Sequence, residues 1–575
     1  MKNVFLLICL AALSFWPCFK ADFVHWDDDL HLLDNPIAQT HSPSAIPAIF
    51  GSSINKTYIP LTILSFNIEH YFFGLNPFIF HLNNFILHLL LCLVIYALVI
   101  RMGIDRGAAF LTALLFAIHP MHVESVAWVT QRKDALYSLF YTLALFQYWK
   151  YLTYHRRGSY LISVLFGFLS ILAKPMALSL PLTLLIFDWY YQGRIIKQAV
   201  TNKLPYLLVI LPVAWITYQQ NARIPLVVFP ESILIWAWSA TFYIKKFFTP
   251  FVLLPLYQLP QPINIFNPSY SSSILILAAT PFAMFFNRKD RLFIFACLFY
   301  ICSTFFLWRM DNTVDVTIVG DRFMYLPSLG ICLWLASLIF EHLKTGKTSS
   351  RIAIFGILAL MTVQTFWQCR VWRNDITLWE HELKYEQKSA LAYNSYGAAL
   401  SKRNNHNSAI LELTKALELK PDYALAYYNR GHIYSKLGNL EEALTDFQSA
   451  LTINPKHIGS LIDRGIIYSR QKRFSEALND LDAAQKLDPK NAGIYNNRGI
   501  VYKQLGELKK AVEDYNRALQ FNPDLASAFI NRARVWQELN NNSEALKDFH
   551  NAQKLGLRIN IEDLEKIETL ADETQ

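Results

Sequence analysis

The chain has 575 residues, of which 53% are hydrophobic and 17% are charged, and its formal net charge is +9 at pH 7. The cations collect in short loops between apolar runs, which is typical of the cytoplasmic loops of membrane proteins and argues against a nucleic-acid groove. All seven cysteines precede residue 370 without a C-x-x-C pair, so no cysteine metal site or disulfide framework is predicted. The basic loops contain Arg101, Arg106, Arg156, Arg157, Arg194, Lys197, Arg288, Lys289 and Arg291.

Residues 1–372 read as a membrane domain, because apolar runs long enough to span a bilayer recur along them. The first run, "VFLLICLAALSFWPCF", lacks a small-x-small cleavage site and is interpreted as a retained span. Ten further spans bring the number of crossings to about eleven; they lie near 78–100, 107–119, 135–152, 159–173, 176–191, 203–219, 272–287, 291–308, 323–341 and 351–369. The stretch 231–257 contains Lys245 and Lys246 and is predicted to be re-entrant or interfacial. With a cytoplasmic N-terminus, the loop 20–76 and the C-terminal part are then outside.

The C-terminal part is an internal repeat with a period of 34 residues. Prolines, glycines and alanines recur at that interval, which is the pattern of tetratricopeptide repeats, each a helical hairpin. Five repeats are predicted over 390–558, after a linker at 373–389 and before a tail at 559–575. The predicted fold class is therefore all-α, a polytopic helical membrane domain followed by an α-solenoid. The recurring positions include Pro421, Pro455, Pro489 and Pro523, and Gly397, Gly431, Gly465 and Gly499.

A polar residue stands at the sixth position of each repeat: Ser395, Asn429, Asp463, Asn497 and Asn531. The functional interpretation is that Asn429, Asn497 and Asn531 bind the backbone of an acceptor peptide on the concave face. This resembles the asparagine ladder of the cytosolic O-linked N-acetylglucosamine transferase. The alternative is that these side chains bond neighbouring helices and stabilise the stack.

The predicted topology places unusual polar residues on one side of the membrane. A carboxylate at that surface can act as a general base toward a hydroxyl, and cations beside it can hold a phosphate leaving group. The alternatives are a solvated helix cap for the acids, headgroup anchors for Arg132 and Lys133, and a metal site for the histidines. The residues are Asp27, Asp28 and Asp29; His119, His122 and Glu124; Arg132, Lys133 and Lys174; and Asp321 and Arg322.

The segments "FVHWDDDLHLLDNP", "YIPLTILSF", "HPMHVESVAWVTQRKD", "AKPMALSLPL" and "GDRFMYLPSLG", ahead of tandem repeats, resemble the transmembrane and tetratricopeptide-repeat containing O-mannosyltransferases and their bacterial relatives. This resemblance implies a GT-C fold and inverting transfer of a sugar, typically mannose, from a polyprenyl-phosphate donor. It makes Asp27 the catalytic carboxylate, with Asp28 beside it. One departure is Ile59, where relatives have the Arg of "YRPL".

In that interpretation the donor phosphate is held by Lys174 and Arg322, with Arg132 and Lys133 as secondary candidates. His119, His122 and Glu124 support the external loop, and no cofactor or metal is predicted. The expected partners are the lipid bilayer, the polyprenyl-phosphate sugar and an acceptor polypeptide with Ser or Thr hydroxyls, with no nucleic acid.

The expected location is the bacterial cytoplasmic membrane with the repeats on the periplasmic side, or alternatively the endoplasmic reticulum membrane with lumenal repeats. The alternative function is a membrane-anchored repeat scaffold without catalysis. A transporter is disfavoured because neither internal symmetry nor deeply buried charge is visible within the spans.

Overall fold

A computed structural model describes residues 2–40, 45–54, 57–220, 229–308 and 319–557. Within these ranges the chain is helical and contains no β-strand, only an isolated bridge between Ile54 and Thr57. The all-α prediction is therefore confirmed. The chain forms two compact units, Met1–Tyr385 and Glu386–Gln575.

The first unit contains eighteen α-helices among its described residues. Their starts follow familiar local rules: Pro60, Pro77 and Pro268 occupy first helical positions, and Asp105 caps its helix by accepting from the Gly107 N–H at 2.7 Å. The helices are α1 Lys2–Phe15, α2 Pro36–Gln39, α3 Ala45–Gly51, α4 Pro60–Phe73, α5 Pro77–Arg101, α6 Arg106–Ile118, α7 Val123–Ala127, α8 Arg132–Tyr154, α9 Arg157–Ala173, α10 Leu180–Gln192, α11 Lys197–Thr201, α12 Leu204–Gln220, α13 Glu231–Phe248, α14 Pro268–Phe286, α15 Arg291–Thr304, α16 Ser328–Thr345, α17 Thr348–Val371 and α18 Asp375–Tyr385.

The chain has several helices that can cross a membrane. Five helical segments of the described chain are long and apolar enough, namely Lys2–Lys20, Pro77–Arg101, Lys197–Gln219, Pro268–Phe286 and Thr348–Val371. A sixth arises if the bent pair Arg106–Ile118 and Pro120–Ala127 is one span. A helix lies at each of the eleven predicted spans, but the others are shorter or more polar, so the number eleven stays a prediction.

Two segments gain detail from the structure. The stretch 231–257, predicted to be re-entrant or interfacial, begins with one continuous helix, α13, which is not among the candidate spans of the described chain. The last turn of α13 lies against the loop after α6, where the Phe247 ring stacks on His119 at 4.2 Å. Residues 373–389 are not simply a linker, because Asp375–Tyr385 form α18. Its Leu378, Trp379 and Glu382 are buried. Trp379 packs on Trp26 of the first loop, and Glu382 accepts from the Leu256 N–H at 3.3 Å.

The second unit is built of five helical hairpins with the predicted 34-residue period. Glycine suits the recurring position in the first four repeats because the partner helix is close: a Cβ on Gly397 would lie 2.7 Å from the Leu413 side chain, and one on Gly499 would lie 2.7 Å from Tyr515. The fifth repeat has Ala533 at this position. The helices are α19 Ala390–Lys402, α20 His406–Leu419, α21 Ala424–Leu437, α22 Leu440–Ile453, α23 Ile458–Arg470, α24 Phe474–Leu487, α25 Ala492–Gln504, α26 Leu508–Phe521, α27 Ala526–Glu538 and α28 Asn542–Lys554. The predicted tail, 559–575, lies outside the described residues.

Candidate active site

The first loop between α1 and α5 places its three adjacent carboxylates in different environments. Asp28 is fully buried, where it accepts hydrogen bonds from the Val24 N–H at 3.0 Å, the Thr130 N–H at 2.9 Å and the Thr130 hydroxyl. Burial raises the pKa of Asp28 to about 7, against the opposing effect of these donors. Asp28 therefore ties the first loop to the segment that precedes α8.

Asp27 is the more accessible of the two candidate catalytic acids, with 24% of its side chain exposed. Its carboxylate lies 3.7 Å from the ammonium of Lys133, the second residue of α8. The Asp27 carbonyl accepts from the N–H of His31 at 3.0 Å and lies 2.9 Å from that residue's Nδ1. Burial, with the nearby Lys133, lowers the pKa of His31 to about 4, so this imidazole is neutral at pH 7.

Two further ion pairs lie close to Asp27 and Lys133. Lys174, between α9 and a 3₁₀ turn, contacts the buried Asp134, and Arg322 contacts Glu124 through its side chain and through its backbone N–H at 2.9 Å. The Lys174 ammonium is 5.2 Å from the ring centre of Phe323, next to Arg322 in the chain. Burial lowers the pKa of Lys174 to about 8; Asp134 opposes the shift, and Lys133 and Arg322 add to it. The predicted cations Lys133, Lys174 and Arg322 thus share one electrostatic environment.

Arg132, a secondary candidate for the donor phosphate, is surrounded by protein partners. It is 2% exposed and contacts Glu69 of α4, while its other nitrogens donate to Asn84 at 2.8 Å and to the Phe80 carbonyl at 3.0 Å. Its guanidinium also lies 4.6 Å from the centre of the Phe66 ring. With its donors directed at protein groups, Arg132 joins α4, α5 and α8 and is not directed at an incoming ligand.

His119 and His122, which were predicted to support the external loop, lie between the ends of three helices. Both are buried: His119 Nε2 lies 3.2 Å from the Phe247 carbonyl, while His122 lies 2.7 Å from the Phe116 carbonyl and 2.9 Å from the Ser328 hydroxyl. Together they connect the ends of α6, α13 and α16. In the described ranges, no three His, Cys, Asp or Glu side chains converge as metal ligands, and metal dependence stays untested.

Two features lie beside the charged residues. Asp321 is buried and accepts from the Tyr257 hydroxyl at 2.9 Å, and burial, with the nearby Glu124, raises its pKa well above the ordinary value. A cavity of about 390 Å³ opens between α13, α14, α15 and α16. Its lining is mostly apolar and includes Ile244, Ile276, Cys297 and Ile331. Tyr243, which precedes Ile244 in the chain, is buried and interacts electrostatically with Arg322 and Asp321.

Comparisons with known proteins show what the chain is similar to. A protein O-mannosyl-transferase of Caenorhabditis elegans, F38B6.6, is 24% identical over 74% of this chain, and the mouse protein O-mannosyl-transferase TMTC3 is 24% identical over 73%. The tetratricopeptide repeat family model matches residues 424–457 and 492–525, and a second repeat model matches 397–438 and 465–506. The chain is similar in sequence to the TMTC protein O-mannosyl-transferases.

The relationship to these O-mannosyl-transferases covers only part of their length. The alignment spans 63% of the Caenorhabditis elegans protein and 51% of the mouse protein. Among solved structures, YrrB, described as a TPR protein with an unusual peptide-binding site, is 22% identical over 34% of this chain and 96% of its own, with a TM-score of 0.28.

In the repeats, two of the three candidate acceptor-binding asparagines bond to neighbouring repeats. Asn429 donates to Asn394 at 2.9 Å and Asn531 donates to Asn496 at 3.0 Å, as the stacking alternative predicts. Asn497 is half-buried, and no hydrogen bond joins its side chain to another described repeat. The arginines that follow form paired bonds of 2.7 to 2.8 Å with the second helix of the same repeat; the pairs are Arg430–Asp446, Arg464–Asp480, Arg498–Asp514 and Arg532–Asp548.

Several residues of the site were missed in the sequence. Glu69 pairs with Arg132, and Asp134 pairs with Lys174. Asp375 holds the first loop through His25. Glu69 could have been recognised from the sequence, because an acid inside the apolar helix α4 needs a partner. Ile59, which replaces an expected arginine, is 1% exposed and belongs to the apolar core of the first loop.

Proposed function

We propose that the protein is a membrane glycosyltransferase that moves a mannosyl group from a polyprenyl-phosphate donor to a Ser or Thr hydroxyl of an exported protein. The Asp27 carboxylate takes the hydroxyl proton as the acceptor oxygen attacks the anomeric carbon. The bond from that carbon to the phosphate oxygen breaks, and polyprenyl phosphate leaves with the electron pair. Because attack is opposite the leaving group, the configuration at the anomeric carbon inverts.

The observation that carries this proposal is the placement of Asp27. Its carboxylate is partly exposed, while the adjacent Asp28 is fully buried and engaged by three donors. A hydroxyl is a weak nucleophile at neutral pH, and a positioned base is worth about 10² to 10⁴ in rate. The accessible acid is therefore suited to proton transfer, and the buried acid to holding the loop.

Three cations close to Asp27 support phosphate as the leaving group. Lys133, Lys174 and Arg322 each have an acidic partner, so the site is near neutral before a ligand binds. A phosphate that enters brings negative charge, and preorganised cations stabilise the further charge that develops on its bridging oxygen. No general acid is then needed for departure.

The apolar cavity beside α13 supports a lipid-linked donor. It lies among α13, α14, α15 and α16, and Ile244 on its wall is adjacent in the chain to Tyr243, which interacts electrostatically with Arg322 and Asp321. A donor phosphate at Arg322 would therefore leave its polyprenyl chain near an apolar surface. We assign the cavity of about 390 Å³ to the first isoprene units.

The repeats then lie on the same side of the membrane as Asp27. Helix α18 contacts the first loop and ends at Tyr385, and α19 begins at Ala390. The segment between them reaches at most about 18 Å, which is less than the bilayer core of about 30 Å. We place both on the periplasmic face, where the repeats bind the acceptor polypeptide and raise the local concentration of its hydroxyls.

The decisive experiment compares Asp27→Asn with Asp29→Asn in purified full-length protein. We expect Asp27→Asn to fold and bind polyprenyl-phosphate mannose normally but to lose transfer by about 10² to 10⁴. Asp29→Asn, at the neighbouring partly exposed acid, is the matched control and should keep most activity. The readouts are donor binding and hexose addition to exported proteins by mass spectrometry.

Retained transfer in Asp27→Asn would reject Asp27 as the base. If the unmodified protein transfers no sugar and binds no lipid donor, the enzymatic proposal fails. The repeats would then act as a membrane-anchored scaffold.

A further inference from the structure

Helix α18 lies between the last candidate span and the repeats, yet it packs on the first loop, about 350 residues earlier in the chain. We propose that α18 positions the Asp27 carboxylate and that Asp375 is the positioning residue through which it does so. The catalytic part of this inference rests on the proposed function. The structural part stands on contacts of the described residues.

The Asp375 carboxylate contacts the first loop through both of its oxygens. The backbone N–H of His25 donates to Asp375 Oδ1 at 2.7 Å, and Nδ1 of the same residue lies 2.8 Å from Oδ2. A third bond runs from the Asp22 N–H to the Arg373 carbonyl at 2.8 Å. One carboxylate therefore fixes both the backbone and the ring of a residue two positions before Asp27.

The carboxylate of Asp375 is not needed to begin its own helix. The start of α18 is capped by Asn374, whose Oδ1 accepts from the Thr377 N–H at 3.1 Å, while the Thr377 hydroxyl lies 3.2 Å from the Asn374 N–H. Asp375 is instead turned toward His25, and its side chain is 13% exposed. Its role in the loop can therefore be separated from helix capping.

An aromatic stack reinforces the same contact. Trp26 lies between Trp128, at 4.8 Å and nearly parallel, and Trp379 of α18, at 5.3 Å. Trp128 stacks in turn on Trp372 at 5.2 Å, and Trp379 is 1% exposed. The residue immediately before Asp27 thus lies between one indole from the loop before α8 and one from α18.

The residues after Asp27 are held independently. Asp28 is fixed by Thr130, and the Asp27 carbonyl is held by His31. Asp27 is therefore flanked by anchors on both sides while its carboxylate stays partly exposed, and α18 supplies the anchor on the N-terminal side. A misplacement of about 1 Å in a reacting group can cost about 10² in rate, so loss of this anchor should be felt at Asp27.

The test uses full-length protein in lipid nanodiscs with three variants. Asp375→Ala removes the grip on His25, Asn374→Ala weakens the cap of α18 without touching the loop, and Glu380→Gln changes an exposed acid on the same helix. Hydrogen exchange of the peptide 22–31 is measured by mass spectrometry, together with kcat and KM for transfer.

We expect Asp375→Ala to speed exchange in 22–31 by about tenfold or more and to lower kcat by about 10- to 100-fold, with KM for the donor within about twofold. Asn374→Ala and Glu380→Gln should leave the loop and kcat near those of the unmodified protein. Asp375→Glu, which keeps the charge, should restore part of kcat.

Unchanged exchange in Asp375→Ala would overturn the inference, and so would faster exchange with an unchanged kcat. If Asn374→Ala reproduced the loss, Asp375 would act only through helix stability, which also overturns it. Should exchange change as expected while the unmodified protein transfers no sugar, the hold of α18 on the loop is confirmed and the proposed function fails.

Discussion

The ammonium nitrogen of Lys133 lies 3.7 Å from a carboxylate oxygen of Asp27, with 12% and 24% of the two side chains exposed. A charge-assisted hydrogen bond is shorter, about 2.7 to 2.9 Å, so the pair is loose. Lys174 and Arg322, by contrast, are in direct contact with their acids. In the proposed mechanism, Lys133 is therefore the cation that can turn to an incoming phosphate at the least cost in free energy. That movement would also free the Asp27 carboxylate.

Replacing Lys133 by Met should weaken binding of the lipid donor by about 10- to 100-fold, the value of a hydrogen bond to a charged group. Lys133→Arg keeps the charge and should retain most of the affinity. The measurement is donor binding to detergent-solubilised protein, with Lys289→Met in an exposed basic loop as the control. Equal donor affinity in Lys133→Met and the unmodified protein would remove Lys133 from the phosphate site.

Transfer should decline as the pH rises through about 8. Burial lowers the pKa of Lys174 to that value, so its ammonium is present below pH 8 and is lost above it. In the proposed mechanism, the leaving phosphate then loses one of its stabilising cations. Lys174→Arg should move the decline to higher pH because a guanidinium stays protonated beyond pH 12. The measurement is kcat/KM from pH 6 to 10, and a decline at the same pH in both proteins would assign it to another group.

The sequence was informative where a pattern repeats or a charge is costly. The 34-residue period defined the five hairpins, and the quoted segments around Asp27, Lys174 and Arg322 do come together in the fold. The acidic partners of the site residues could not be predicted from the sequence. Asp134, Glu69 and Asp375 lie far along the chain from the cations or the histidine that they contact. Helix α18 was mistaken for linker because its mixed composition resembles the repeats, although its Trp379 packs in the first unit.

Arg132 should matter for stability and not for the donor. Breaking a buried ion pair by removing one partner costs about 3 to 5 kcal/mol, since the remaining charge is left in an apolar site. Arg132→Met or Glu69→Met alone should therefore lower the thermal unfolding temperature markedly, and the double variant should recover part of the loss. A stable Arg132→Met protein with weakened donor binding would restore Arg132 as a phosphate ligand.

Asn497 is the asparagine of the repeats to test as an acceptor ligand. Asn429 and Asn531 each bond to an asparagine 35 residues earlier, but the residue 35 before Asn497 is Ile462, which offers no side-chain acceptor. Asn497→Ala should thus raise KM for an extended Ser/Thr-containing peptide several-fold while leaving thermal unfolding unchanged. Asn429→Ala should do the reverse, with a loss of about 1 kcal/mol in the stability of the repeat unit. The measurements are the kinetics of peptide transfer and the thermal unfolding of the two full-length variants. If both substitutions changed only the stability, the peptide would be bound by other residues of the array.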